Sequence, residues 1–154
     1  MPTTRSDIER LERALSDLWR KGTVARLHAS LTAAAGVEID RPGYLVLRQI
    51  GSAGPIRVTD LAARFAVEQS TISRHARRLT QRRWVRRLAD PADGRVALLE
   101  PTTEGKAVID RIETRRRQIL SGVLDAWPAA DRDAFADLME RFTTNLADFL
   151  DADA

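Results

Sequence analysis

Cysteine is absent from this chain, which excludes disulfides, thiol switches and thiolate metal sites. There are only two histidines, His28 and His75. They fall in different predicted lobes and in no zinc-ligand spacing, so no metal site is expected. No glycine loop to cradle phosphate and no nucleophile elbow is present. Asp131 and Asp133 lie in the first turn of a predicted helix, where capping accounts for them. No catalytic residue and no cofactor is therefore assigned. Apolar runs stay well short of the roughly 18–20 residues a spanning helix needs. The N-terminal MPTTRSDIER lacks a secretory apolar stretch. A cytoplasmic protein without a membrane partner is the expectation. The 154 residues, 44% of them hydrophobic, suffice for one domain-sized core.

A second scarcity is more informative. Between Gln69 and Ala89 there is no carboxylate, yet Arg74, Arg77, Arg78, Arg82, Arg83, Arg86 and Arg87 all fall there. From Arg57 to Arg95, ten Arg face four acidic residues, while the whole chain carries only +3. Solvated surface helices usually mix signs in i,i+4 pairs. An acid-free run of arginine points instead to a phosphate-binding face.

The surrounding pattern gives that face a scaffold. A first helix is expected from about Asp7 to Ala34, with Ile8, Leu11, Leu15, Leu18, Ala25 and Ala29 at 3–4 spacing and Gly22 filling one slot. Ser6 or Asp7 caps it and Gly36 stops it. A second helix begins near Arg41–Gly43 and runs into the loop signal GSAGP. A short helix, Val58–Phe65, turns sharply at Ala66–Val67 into a helix from Gln69 to about Arg83. In this last helix Ile72, Ala76 and Leu79 face inward, leaving Ser70, Thr71, Ser73, Arg74 and Arg77 outward. Two β-like runs follow, Trp84–Ala89 and Arg95–Leu99, around DPADG, where Asp93-Gly94 supplies residues tolerant of positive φ. Thr102 then caps a long helix to about Ala126, Trp127-Pro128 breaks it, and a last helix runs to about Leu150.

The order is helix, tight turn, helix and hairpin: mainly α with a small β-wing, a winged helix-turn-helix flanked by long N- and C-terminal helices. Such a device places one helix in the DNA major groove while the hairpin reaches the adjacent backbone or minor groove. Residues 41–100 are assigned to the DNA-binding lobe and 7–34 and 102–150 to dimerisation helices, all within a single domain spanning 1–154. The long apolar stripes exceed what one small domain buries against itself, so a homodimer is expected.

The segment VTDLAARFAVEQSTISRHARRLTQRRWVRR, the wing DPADGR and the junction LEPTTEGK resemble the multiple antibiotic resistance regulator (MarR) family of bacterial transcription factors. The resemblance covers nearly the whole chain. Glu68 and Arg57 stand where such proteins often carry a capping hydroxyl. The resemblance implies a homodimer bound to a palindromic double-stranded operator, usually as a repressor. It also implies a small aromatic or phenolic effector that weakens DNA binding. By the same resemblance, Arg95 is the residue for minor-groove insertion. Trp19, His28, Tyr44 and Arg48 have suitable character for the effector pocket.

For the DNA contacts, Gln69, Ser70, Thr71, Ser73 and Arg74 are assigned to the recognition helix. Gln pairs bidentately with adenine, Arg with guanine, and a Thr methyl meets a thymine methyl. Arg77, Arg78 and Arg82 either meet phosphates or pair internally. Asp93 and Gly94 are assigned to wing support, Asp93 by accepting hydrogen bonds from an arginine. Two other readings stay open: a constitutive or architectural DNA binder without ligand response, and a winged-helix protein-interaction module.

Overall fold

The structure is a computed structural model that describes residues 5–94 and 96–152. Its contacts divide the chain into two compact units, Met1–Arg116 and Arg117–Ala154. Among the described residues seven helices and three strands occur. They are α1 (Arg5–Trp19), α2 (Lys21–Ala34), α3 (Arg41–Ala53), β1 (Ile56–Arg57), α4 (Val58–Phe65), α5 (Gln69–Gln81), β2 (Val85–Ala89), β3 (Ala97–Pro101), α6 (Thr103–Leu124) and α7 (Ala129–Ala152). The expected mainly helical architecture with a small wing is what the chain adopts.

In the first unit, the core gathers one apolar face from every element except α1, which buries no residue. Leu31 comes from α2, Tyr44, Leu47 and Ile50 from α3, and Leu61 from α4. Ile72, Ala76 and Leu79 come from α5, Val85 and Leu99 from the sheet, and Val108 and Ile112 from α6; all are at most 4% exposed. Fully burying each large aliphatic side chain stabilises the fold by about 1.5–3 kcal/mol. The i, i+4, i+7 anchors of α5 thus sit where their spacing predicts.

Three local departures have physical causes. The single N-terminal helix is broken at Arg20, whose ψ of 127° is extended, and Thr23 and Val24 donate afresh to its carbonyl at 2.9 and 3.2 Å. The break resets the register. α2 and its C-cap bury Leu31, Thr32 and Ala35 while Ala25 and Ala29 are exposed, so the continuous stripe expected through Ala29 does not exist. The second departure is β1, which makes the hairpin a three-stranded antiparallel sheet in the order β1-β3-β2, with Ile56 opposite Leu99 and Arg57 opposite Leu98. The third lies in the wing turn. Gly94 does not adopt positive φ; instead Val96 N–H donates to the Asp93 carbonyl and Asp90 N–H to the Val96 carbonyl, both at 2.9 Å. The expected strand start at Trp84 also shifts, to Val85, and β3 is described from Ala97; Arg95 lies outside the described residues.

Helix ends repeat one device. After α2, α4 and α5 the chain turns through a left-handed residue, Gly36 (φ 63°), Ala66 (φ 50°) and Arg83 (φ 59°). Each time the left-handed residue and its successor donate back to the last helical carbonyls: Gly36 to Ala33 and Val37 to Thr32, Ala66 to Ala63 and Val67 to Ala62, Arg83 to Thr80 and Trp84 to Leu79, at 2.9–3.1 Å. This paired closure satisfies orphan carbonyls and favours glycine at the left-handed position. Only the first instance has it.

In the second unit, Trp127 packs against Phe135 with ring centroids 5.6 Å apart and planes tilted by 58°, and accepts at its carbonyl from Arg132 at 3.1 Å. No residue of α7 is buried; Phe135, Leu138, Met139, Leu146, Phe149 and Leu150 are exposed.

Candidate nucleic-acid interface

The face begins at α5. With Ile72, Ala76 and Leu79 anchored inward, Gln69, Ser70, Arg74, Arg77 and Arg78 are exposed and Thr71 and Ser73 are half-buried. Glu68, at the cap position, makes no side-chain cap bond. The first-turn N–H groups of α5 are therefore not taken up by a capping side chain, and they add partial positive charge to the same end.

The arginines divide into two sets. Arg78 reaches Asp40 at 3.7 Å and Arg82 reaches Glu38 at 3.9 Å. Arg82 also donates to the Glu38 backbone carbonyl and lies 5.1 Å from the Trp84 ring centroid. Arg86 donates to Glu100 Oε2 at 2.6–2.7 Å, across the β2–β3 register that places those residues opposite each other. The acid-free stretch thus borrows carboxylates from elsewhere. Among the described residues, no carboxylate lies within ion-pair distance of Arg74, Arg77, Arg83 or Arg87. Internal pairing, one of the two alternatives for Arg78 and Arg82, is the arrangement found.

The recognition helix is welded to the wing and to α6 by one joint. Thr102 N–H donates to the Trp84 carbonyl at 3.0 Å, and Thr102 Oγ1 donates to the Arg83 carbonyl at 2.6 Å while accepting from Gly105 N–H at 3.0 Å. Gly105 is buried, and a methyl there would overlap the Trp84 carbonyl. These contacts explain the Thr-Thr-Glu-Gly junction: the cap needs the hydroxyl and the crossing needs the missing side chain.

At the wing, Arg95 lies outside the described residues. Asp93 is exposed and engages in an interaction of its own, and its carbonyl shapes the turn. The acid that ties the wing to the rest of the unit is another one. Asp90 is 7% exposed. Its Oδ1 accepts from Ala92 N–H at 2.8 Å, and its Oδ2 accepts from Arg57 Nε at 2.8 Å and from Arg57 Nη2. The Ala92 amide and the Arg57 guanidinium hold its carboxyl below the usual carboxylate range, against the opposing effect of burial. Arg57, at the cap position of α4, makes no cap bond; its side chain is spent on the wing. Sequence reasoning missed this pair, as it missed Glu38 and Asp40. The one signal was Arg57 standing where similar proteins carry a hydroxyl.

Of the four effector-pocket residues, His28 and Tyr44 meet ring to ring, while Trp19 and Arg48 stand exposed. Trp19 is 60% exposed on α1, Arg48 is exposed, and Tyr44 is 2% exposed. The Tyr44 hydroxyl accepts from Arg116 Nη2 at 3.1 Å, beneath a guanidinium 5.6 Å from its ring. His28 lies 6.3 Å from the Tyr44 ring and its Nε2 bonds the Ile39 carbonyl at 2.8 Å. The described cavity is elsewhere, a cleft of about 800 Å³ between α2, the α2–α3 linker and α5. Ala33, Val37 and Leu79 are among its apolar lining residues, and Glu38, Asp40, Arg78 and Arg82 among its charged ones. Among the described residues there is no cluster of His, Asp and Glu that would hold a metal, and no helix is long and apolar enough to cross a membrane.

A helix-turn-helix with a β-wing, its second helix bare of acid and flanked by arginine, defines the winged-helix transcriptional regulators. The MarR family model matches residues 39–97. YxaD of Bacillus subtilis (strain 168), an uncharacterised HTH-type transcriptional regulator, is 34% identical over 110 residues, 71% of this chain and 77% of YxaD. The chain belongs to the MarR family, a family of regulators and not of enzymes. The fold is also that of a MarR family protein from Bacillus stearothermophilus, with a TM-score of 0.80 at 17% identity, covering 94% of this chain and 99% of that one. FabT of Streptococcus pneumoniae, solved in complex with DNA, superposes with a TM-score of 0.72 at 17% identity over 96% of this chain and 99% of FabT.

Proposed function

We propose that this chain binds double-stranded operator DNA as a homodimer and acts as a cytoplasmic repressor that a small molecule releases. The observation that carries the reading is the face of α5. Gln69, Ser70 and Arg74 stand exposed at its N-terminal end, with Thr71 and Ser73 half-buried among them. No acid lies within ion-pair distance of Arg74 or Arg77 among the described residues. In this reading the five polar residues approach base edges and Arg77 meets phosphate. Arg78 adds a phosphate contact once it leaves Asp40. Arg95 enters the minor groove beside the wing, with Asp93 and Gly94 shaping the turn behind it. FabT, with the same fold, was crystallised on DNA, which supports the assignment. Exposed Ile8, Leu11, Leu18 and Trp19 on α1, and the exposed apolar residues of α7, support self-association.

For the effector, a phenolic or other aromatic molecule, the cleft beside Arg78 and Arg82 fits better than the buried Tyr44 hydroxyl. Its volume is in the range of small-molecule sites. A ligand there touches the recognition helix directly.

The test is a fluorescence-anisotropy titration of a 30-base-pair duplex selected from a random pool, with salt varied. A dimer neutralising about eight phosphates gives a log–log slope near −7. Footprints should show two half-sites about 34–36 Å apart, one helical turn or a multiple of it. A single half-site refutes the dimer. Salt-independent binding, or none, refutes the DNA reading and favours a protein-interaction module. Unchanged affinity across a panel of phenols refutes the effector and leaves a constitutive binder.

A further inference from the structure

Arg57 poses a puzzle that the DNA-binding reading leaves open. It belongs to the local excess of arginine, yet its guanidinium turns away from phosphate duty and places two donors on one oxygen of Asp90. Asp90 is an odd companion for DNA, a carboxylate at the base of an element that reaches a polyanion. Both facts resolve if the pair works on the wing. Asp90 is the residue where β2 gives way to the wing turn: its backbone N–H holds the Val96 carbonyl and its Oδ1 holds the Ala92 amide. It therefore closes the turn from both sides. Arg57 is the last residue of β1 and directly precedes α4, the first helix of the helix-turn-helix. Its backbone is registered to Leu98 of β3. One side-chain pair thus ties the base of the wing to the helix that positions α5.

We infer that Arg57 and Asp90 are a positioning pair that fixes the wing relative to the recognition helix, and that neither acts by touching DNA. The inference rests on the DNA-binding reading and adds a residue-level determinant to it. β1 supports β3 only as far as the Arg57–Leu98 pair; beyond it the wing is two-stranded, and two strands alone are marginal. Fixing the base of the wing restricts it before binding, so less ordering cost is met on the DNA.

Coulomb's law and positioning give opposite signs for one substitution. Asp90→Asn removes a negative charge and frees a guanidinium beside the duplex. On charge alone, affinity rises. If the pair positions the wing, affinity falls, because the wing contacts are lost although the net charge has become more positive. The experiment uses the full chain and the selected 30-base-pair duplex. D90N is expected to raise Kd about tenfold and to reduce the salt slope by about 2, one wing phosphate contact per protomer at roughly 0.9 each. Hydroxyl-radical protection should fade in the flanking minor grooves and persist at the major-groove centres. R57Q should do the same. The double variant R57Q/D90N should bind no worse than either single one, since both break one interaction.

D90N binding as tightly as the parent or tighter overturns the inference. So do single effects that multiply in the double variant, or weakened binding with flanking protection intact. Far-ultraviolet circular dichroism and thermal melting establish that each variant is folded. If D90N is not, R57Q carries the test, because Asp90 then keeps its Ala92 bond and the Arg57 side chain is 41% exposed. A parent chain that binds no duplex overturns this inference and the DNA reading together; a parent that binds, with variants that match it, overturns this one alone.

Discussion

Ala66→Gly is expected to make this protein more stable, although it deletes a methyl and introduces the most flexible residue. Ala66 has φ 50° and ψ 46°, left-handed helical backbone, at the C-terminal closure of α4. A residue with a Cβ in that region costs about 1–2 kcal/mol because the Cβ crowds the following carbonyl. Glycine removes that cost but loses more backbone entropy on folding, about 0.5–1 kcal/mol relative to alanine. Ala66 is exposed, so its methyl contributes little burial. The balance is a stabilisation of about 0.5–1 kcal/mol, or roughly 1–4 °C for a chain of this size. The assay is thermal unfolding followed by circular dichroism at one fixed protein concentration, because self-association makes Tm concentration-dependent. Ala63→Gly is the control. It is exposed in the same helix but ordinary in backbone, so it should lose about 1 kcal/mol. Melting of A66G at or below the parent temperature would refute the reasoning, and A63G and A66G moving together would show that glycine content, not handedness, sets the outcome.

Thr102→Ala should cost about 1–2 kcal/mol by removing the α6 cap, with Thr102→Ser restoring most of it in the same melts. Gly105→Ala should be far worse, unfolding the first unit or lowering its Tm by more than any cap variant, because the added methyl meets the backbone of Trp84. In salt titrations, Arg77→Ala should reduce the slope by about 2 per dimer. Arg74→Ala should leave the slope nearly unchanged and instead cost about 1–3 kcal/mol and relax base preference at one position of each half-site. Arg86→Ala should change the slope by less than 1, because that guanidinium is already held by Glu100. The Asp90 carboxyl is depressed below its ordinary value. Its stabilising contribution is therefore full above the unfolded-state value, near pH 4, and is lost only as pH falls through the lower folded value. Wing protection in hydrogen exchange should accordingly be flat from about pH 8 to 5, and a loss centred above pH 5 would contradict the assignment.

Much of the fold was legible because burial imposes periodicity. Ile72, Ala76 and Leu79 could only be one face of a helix, and Leu61 with Ala62 only the inner side of the short helix before it. The break at Arg20 was invisible, since arginine is a good helix former and the apolar spacing continues past it. β1 was invisible for another reason: two residues carry no period. The recognition-helix face was legible from the missing acids, but the partners of Arg78, Arg82 and Arg86 are distant in sequence. Local charge counting cannot see a carboxylate that the fold returns from Glu38, Asp40 or Glu100. In the wing, turn chemistry drew the eye to Asp93-Gly94, whereas the structural bond fell on Asp90, whose partner Arg57 lies 33 positions away.

The meeting of Arg83, Trp84, Thr102 and Gly105 also sets how α5 can move. That joint clamps the helix at its C-terminal end, so any displacement of the first turn of α6 reaches α5 as a tilt about a fixed pivot. At 13 residues and about 1.5 Å each, α5 is a lever of roughly 20 Å, and a ten-degree rotation sweeps its free tip through about 3 Å. Gln69 and Ser70 travel farthest and Thr80 hardly at all. A swing of that size equals the length of a hydrogen bond, enough to break any contact made by that end of the helix while the rest of the fold stays in place.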